Sequence, residues 1–172
     1  MALRPIVKYG DPVLHSPSKP VETIDDTILK LFDDMVETMW AAPGIGLAAP
    51  QIGVPLRVIV IDLSVGEDKK QLIKLVNPEF VEKEGEQKLV EGCLSVPGYE
   101  GAPVRPAKVV VRGLDPDGKE RTYTGTELLA RAFCHEIDHI DGLLFVDRLT
   151  PLKRDLMKRK LKKVARTGDW ED

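Results

Sequence analysis

The sequence has few cysteines, no long apolar run and little net charge, and each shortage closes off a class of protein. Of its 172 residues only two are cysteine, Cys93 and Cys134, which is no basis for a disulfide framework. A reducing cytoplasm suits such a chain and leaves a thiolate free to bind metal. No stretch is apolar for long enough to span a membrane, and Pro5 and Pro12 interrupt MALRPIVKYGDP where a secretory leader needs an apolar core. The formal net charge of -3 gives no overall electrostatic case for a nucleic-acid binder. Internal repeats, low-complexity segments and linkers are also missing. With 42% hydrophobic and 31% charged residues, the chain is expected to form one soluble domain over residues 1–172, with 167–172 a frayed tail.

What is present begins with a Pro-rich segment, residues 1–22, expected to lie as an extended arm on the domain. Thr23 is expected to cap a helix in which Ile28, Leu31, Phe32, Met35 and Met39 recur at helical spacing, ending near Trp40. Residues 57–61, Arg-Val-Ile-Val-Ile, read as a buried strand from their β-branched run. Further strands are expected at 72–80 and 87–90. A hairpin is expected over 108–124, turning at Asp115-Pro116-Asp117-Gly118. Thr124-Gly125-Thr126-Glu127 suggests a capping box that opens a helix running to Gly142, apolar on several sides and so expected to be buried. After Pro151, residues 152–166 form a basic amphipathic helix. The fold class is therefore α+β: mostly antiparallel strands around a central buried helix, with an N-terminal helix and a basic C-terminal one.

The central helix carries the chemistry. In His135-Glu136-Ile137-Asp138-His139 the two imidazoles lie one turn apart on one face and can reach a single ion. Glu136 sits at the edge of that face, where it can take a proton from a metal-bound water. A catalytic metal of this kind wants three protein ligands and an open position. The extended form, with a third histidine six residues after His139, meets Phe145 there instead. The only glutamate downstream is Glu171, in the tail, and Asp147 and Asp155 stay open without a supporting motif. Upstream, Cys93 is the better thiol. Cys134 adjoins His135 on the helix, so its side chain points about 100° away. The competing reading of Cys93 is a buried, inert thiol. Gly44-Ile45-Gly46-Leu47-Ala48-Ala49 formally matches a dinucleotide fingerprint, but a helix precedes it and Pro50 follows, so that reading fails. Its small residues suit either close passage of a ligand or an ordinary tight loop.

Three segments together, GIGLAAPQ (44–51), EGCLS (91–95) and HEIDH (135–139), resemble in order and spacing the three motifs of peptide deformylases. The resemblance implies removal of the formyl group from the initiating methionine of nascent proteins. It makes Cys93, His135 and His139 ligands of one divalent metal, ferrous iron in the cell, which zinc, nickel or cobalt can replace. Metal-bound hydroxide would attack the formyl carbon. Glu136 would act as general base and then acid, and Gln51 and the Leu94 main-chain N–H would hold the oxyanion. Backbone near Ile45, Gly46 and Gly92 would pair with the substrate as an added strand, which favours ligand approach for the glycine segment. An apolar pocket should take the methionine side chain, with Leu128 and Ala132 as lining or as plain core. Asp138 or Asp141 would orient a ligand histidine or simply carry solvated charge. Arg105 is open between a structural ion pair and support for the site. The basic C-terminal helix is either a solvated face or a contact with the ribosome. No membrane partner is expected. Two rival functions are a zinc endopeptidase and a non-enzymatic, metal-stabilised module that binds peptide termini.

Overall fold

The structure, a computed structural model, describes residues 2–170. Its centre is an antiparallel sheet of five strands in the order β1 (Gly46–Ala48), β2 (Val58–Ile61), β3 (Ile73–Glu84), β8 (Lys108–Leu114) and β9 (Glu120–Thr126). Two short ribbons flank it: β4 (Gln87–Lys88) pairs with β7 (Val104–Arg105), and β5 (Glu91–Gly92) pairs with β6 (Glu100–Gly101). Helices and antiparallel sheets together agree with the mixed class read from the sequence.

β2 shows why its sequence is an uninterrupted apolar run. Successive side chains point to opposite faces, and both faces are covered. Val58 and Val60 join Ile28, Leu31, Phe32, Met35 and Met39 of α1 (Asp26–Ala41) in one core. Ile59 and Ile61 join Phe133, Ile137 and Ile140 of α2 (Glu127–Ile140) in another. The sheet therefore separates the two helices. A third core packs Tyr9 and Leu14 of the N-terminal segment with Phe145 and Leu149 of the connection after α2 and with Leu161 of α3 (Pro151–Thr167). The arm itself is tied down through the main chain: the Val7 N–H donates to Gln51 O at 2.7 Å and the Tyr9 N–H to Ser95 O at 2.9 Å.

Several boundaries differ from the sequence reading. Asp25, not Thr23, caps α1, with its carboxylate accepting from the Ile28 N–H at 3.1 Å. The expected capping box on α2 does not form. Thr126 is still paired in the sheet opposite Lys108, so the chain enters the helix straight from β9 with no free turn to cap. Glu127 takes φ 52° at that junction. β3 runs on to Glu84, past Phe80, because β8 pairs with it from Val76 to Glu84 across two register shifts, whereas β4 stops at Lys88, short of Val90. In residues 167–170, the first part of the tail expected to fray, Thr167 is helical, Gly168 closes α3 in a left-handed conformation (φ 73°), and Trp170 meets Tyr99 edge-on at 6.5 Å. Glu171 and Asp172, the rest of that tail, lie outside the described residues.

α2 ends where the sequence places its stop. Gly142 has φ 83°, and a Cβ there would meet the Ser16 backbone at 2.8 Å, so any other residue is blocked twice over.

Candidate active site

α2 brings His135 and His139 together with their Nε2 atoms 3.2 Å apart. Cys93, in the turn just after β5, places its Sγ 3.3 Å from His139 Nε2. All three donor atoms lie within 4.8 Å of one another. Cys134 has no part in this cluster. It is buried in the core between α2 and the sheet, where desolvation pushes its thiol up to about 11. Phe145 stacks on His135 with ring centroids 6.5 Å apart and planes 21° apart.

The donor set fits a divalent cation. Three atoms bearing lone pairs repel one another at these separations unless a proton or cation lies among them. Without a cation the two rings are driven apart in basicity. Burial lowers His135, but Glu136, Cys93 and Glu91 outweigh it and hold the ring well above the usual imidazole value. Burial, the charged His135 and Arg105 together push His139 well below it. One cation satisfies all three donors at once, and a thiolate with two imidazoles suits zinc or a comparable first-row metal.

Behind the ligands lies a buried ionic chain. Glu91 Oε1 is 3.0 Å from His135 Nδ1, which fixes the ring with Nε2 toward the cluster. Arg105 grips both oxygens of Glu91 at 3.0 Å and reaches Asp138 Oδ2 at 2.6 Å. Arg148 then closes on Asp138 Oδ1 at 3.0 Å. The sequence reading had offered Asp138 or Asp141 as the partner of a histidine. Asp138 instead pairs with two arginines, and Asp141 pairs with Arg57 at 2.9 Å on the far side of the helix end. Arg105 supports the site through Glu91 and Asp138. Glu91 itself was missed, although it stands two residues before Cys93 within EGCLS and is the one carboxylate in that motif.

Glu136 is buried, and its Oε1 has no hydrogen-bond partner. Desolvation pushes its carboxyl up to about 7, against the pull of His135 and Arg105. Its neighbour explains Gly46. A Cβ there would run into the Glu136 carboxylate, so the glycine is the space the acid occupies. Gln51 is equally fixed. Its Oε1 accepts from the Ala48 N–H at 3.0 Å, and its Nε2 is then held 3.2 Å from Ser95 Oγ and 3.7 Å from Cys93 Sγ. Ser95, fully buried, is a second positioning residue that the sequence did not announce.

A cavity of about 450 Å³ opens beside these groups. Gln51, Cys93, His135 and Glu136 line one side, and Ile45, Leu94, Leu128 and Ala132 supply apolar wall. Leu128 and Ala132 both border the cavity; Ala132 is buried in the core between α2 and the sheet, while Leu128 is 38% exposed. Gly46 and Gly92 border the same space. β1 is an edge strand whose other side pairs with β2. Ile45 O accepts from the Asp62 N–H at 2.8 Å, so main-chain alternation turns the N–H and C=O of Gly46 toward the open edge.

Among the described residues no helix is long and apolar enough to cross a membrane. Residues 3–155 match the family model described as polypeptide deformylase. The peptide deformylase of Acidobacterium capsulatum is 51% identical over 170 residues, 99% of this chain and 100% of that one. The crystal structure of a peptide deformylase from Legionella pneumophila superposes with TM-score 0.89 at 50% identity, covering 99% of this chain and 100% of the other. That of the Ehrlichia chaffeensis enzyme in complex with actinonin gives 0.85 at 40% identity, covering 95% and 98%.

Proposed function

The chain belongs to the polypeptide deformylase family, and on that premise we propose which of its residues perform the reaction. The reaction is removal of the formyl group from an N-terminal formyl-methionine by a metal-dependent hydrolase. The reading of the site rests on one observation: three donor atoms lie within 4.8 Å of one another, and two of the residues that carry them, Cys93 and His135, line the same cavity as Glu136, whose buried Oε1 has no partner.

Cys93, His135 and His139 hold the metal, which is ferrous iron in the cell, with zinc, nickel or cobalt as substitutes. A divalent cation there supplies Lewis acidity and lowers the pKa of water. Glu136 takes the proton of the attacking water and passes it to the leaving amine, a role worth about 10²–10⁴-fold. The Gln51 amide and the Leu94 main-chain N–H donate to the oxygen on which charge develops, and one such donor is worth roughly 3 kcal/mol. The open edge at Gly46, with backbone at Ile45 and Gly92, pairs with the substrate as an added strand. Leu128 and Ala132 receive the methionine side chain.

We read residues 1–172 as one catalytic domain working in the cytoplasm on nascent chains, with the HEIDH helix at its centre. The basic face of α3 has solvation as its simpler role. Co-sedimentation with ribosomes at low and raised salt tests whether it also contacts ribosomal RNA. The function is tested by loading metal anaerobically and measuring formate released from formyl-Met peptides. Release is expected there, with no cleavage of blocked internal peptides. Absence of formate sinks the reading, and cleavage of the internal peptides points instead to an endopeptidase.

A further inference from the structure

Arg131 is the only lysine or arginine lining the 450 Å³ cavity, and the reaction described above gives it nothing to do. It lies four residues before His135 on α2, so its side chain leaves the helix on the cavity face one turn from the metal donors. Its Nε is buried and has no hydrogen-bond partner. Of the two acids that share the cavity with it, Glu91 is engaged by Arg105 and His135, and Glu136 makes no ion pair with it. The wall around it is otherwise apolar, from Leu128, Ala132, Val90 and Leu94. A buried N–H left unpaired in such surroundings is costly, and the cost falls when a ligand brings an acceptor.

The bound substrate fixes which acceptor that is. With the formyl carbon at the metal donors, the extended methionine side chain carries its sulfur a distance comparable to one helical turn, about 5.4 Å. Directed along α2 toward its N-terminus, that side chain would bring the sulfur to the level of Arg131. A thioether sulfur is a weak acceptor. Oxidation to the sulfoxide places a strong acceptor oxygen at that point and makes the side chain polar. An all-apolar pocket rejects such a group, whereas a free guanidinium can donate to it.

We propose that Arg131 is a specificity-determining residue that lets this enzyme deformylate peptides beginning with formyl-methionine sulfoxide. The proposal rests on the deformylase reading of the site. It deepens that reading by adding an oxidised substrate class.

The test compares kcat/KM for one peptide carrying formyl-methionine and the same peptide carrying formyl-methionine sulfoxide, in the parent metal-loaded enzyme and in Arg131→Leu. The quantity read is the ratio of the sulfoxide value to the thioether value, so a general loss of activity cancels. A hydrogen bond to a charged group predicts that this ratio falls about ten- to a hundredfold in Arg131→Leu. In Arg131→Lys, which keeps a cationic donor, it falls less. The lysine variant also carries the test if the leucine variant does not fold, because a ratio at or below one-hundredth of the parent's in a folded Arg131→Lys counts against the proposal. A fall smaller than threefold in Arg131→Leu overturns the proposal, as does a parent enzyme that releases formate from the thioether peptide but not from its sulfoxide. No formate from either peptide refutes the deformylase reading itself, a different failure from loss of the ratio.

Discussion

α2 and α3 are helices of similar length with opposite relations to the rest of the molecule. Of the 14 residues of α2, nine are buried, and three of those nine, Glu136, Asp138 and His139, carry a carboxyl or imidazole group. Of the 17 residues of α3, only Leu161 is buried. Lys153, Arg159, Lys160, Lys162 and Lys163 leave α3 for solvent, while α2 pairs its polar groups with residues from distant segments. A helix with few partners can fold as a solvated surface element. One that buries ionisable groups draws partners from distant segments, as Asp138 and His135 do, and the buried Glu136 Oε1 that is left without one marks the site.

The largest test of this contrast is Glu136→Ala. We expect kcat/KM for formyl-Met peptides to drop about 10²–10⁴-fold with metal content unchanged by elemental analysis. Hydrolysis at the parent rate would show that the buried acid is not the general base. Next, Arg105→Leu removes the one cation shared by the buried Glu91 and Asp138, leaving the first with only His135 and the second with only Arg148. Breaking such a network costs roughly 3–5 kcal/mol, to be read from urea unfolding. A loss below about 1 kcal/mol would mean that α2 does not depend on its ionic partners as argued. Cys93→Ser should weaken metal binding measurably in a competition assay, whereas Cys134→Ser should leave it as it is; the reverse result exchanges the roles of the two thiols. Gly46→Ala forces a Cβ into the Glu136 carboxylate and should cost about 1–3 kcal/mol of stability along with activity. The smallest effect belongs to α3. Leu156→Ala, at a side chain 49% exposed, should change unfolding free energy by no more than about 0.5 kcal/mol. A larger loss would erase the contrast from the other side.

The same contrast explains what the sequence could tell. Donors four apart on one helix are a local pattern, so the pairing of His135 with His139 is legible from spacing alone, as is the hairpin turning at Asp115–Gly118, which pairs in register from Lys108 to Thr126. Cys93 emerged by elimination and then by motif. Glu91 did not emerge, because its contact with His135 spans 44 residues and depends on how β5 lies against α2. Ser95 stayed hidden for the same reason, being recognisable only once Gln51 is seen to lean on it. The helix starts failed differently. Thr23 and the residues around Thr126 carry real capping chemistry, but Asp25 reaches the first turn of α1 more directly, and sheet pairing holds Thr126 in extended backbone. Local preference lost to tertiary pairing in the second case, and to a better neighbour in the first.

The open edge of β1 has a consequence for what the enzyme can serve. Main-chain N–H and C=O groups are the same in every residue but proline, so an edge that holds its substrate through them learns nothing of the side chains that follow. Past the first residue, such recognition is blind to sequence. A single enzyme built this way can therefore process starting ends drawn from an entire proteome, reserving its discrimination for the one residue they all share.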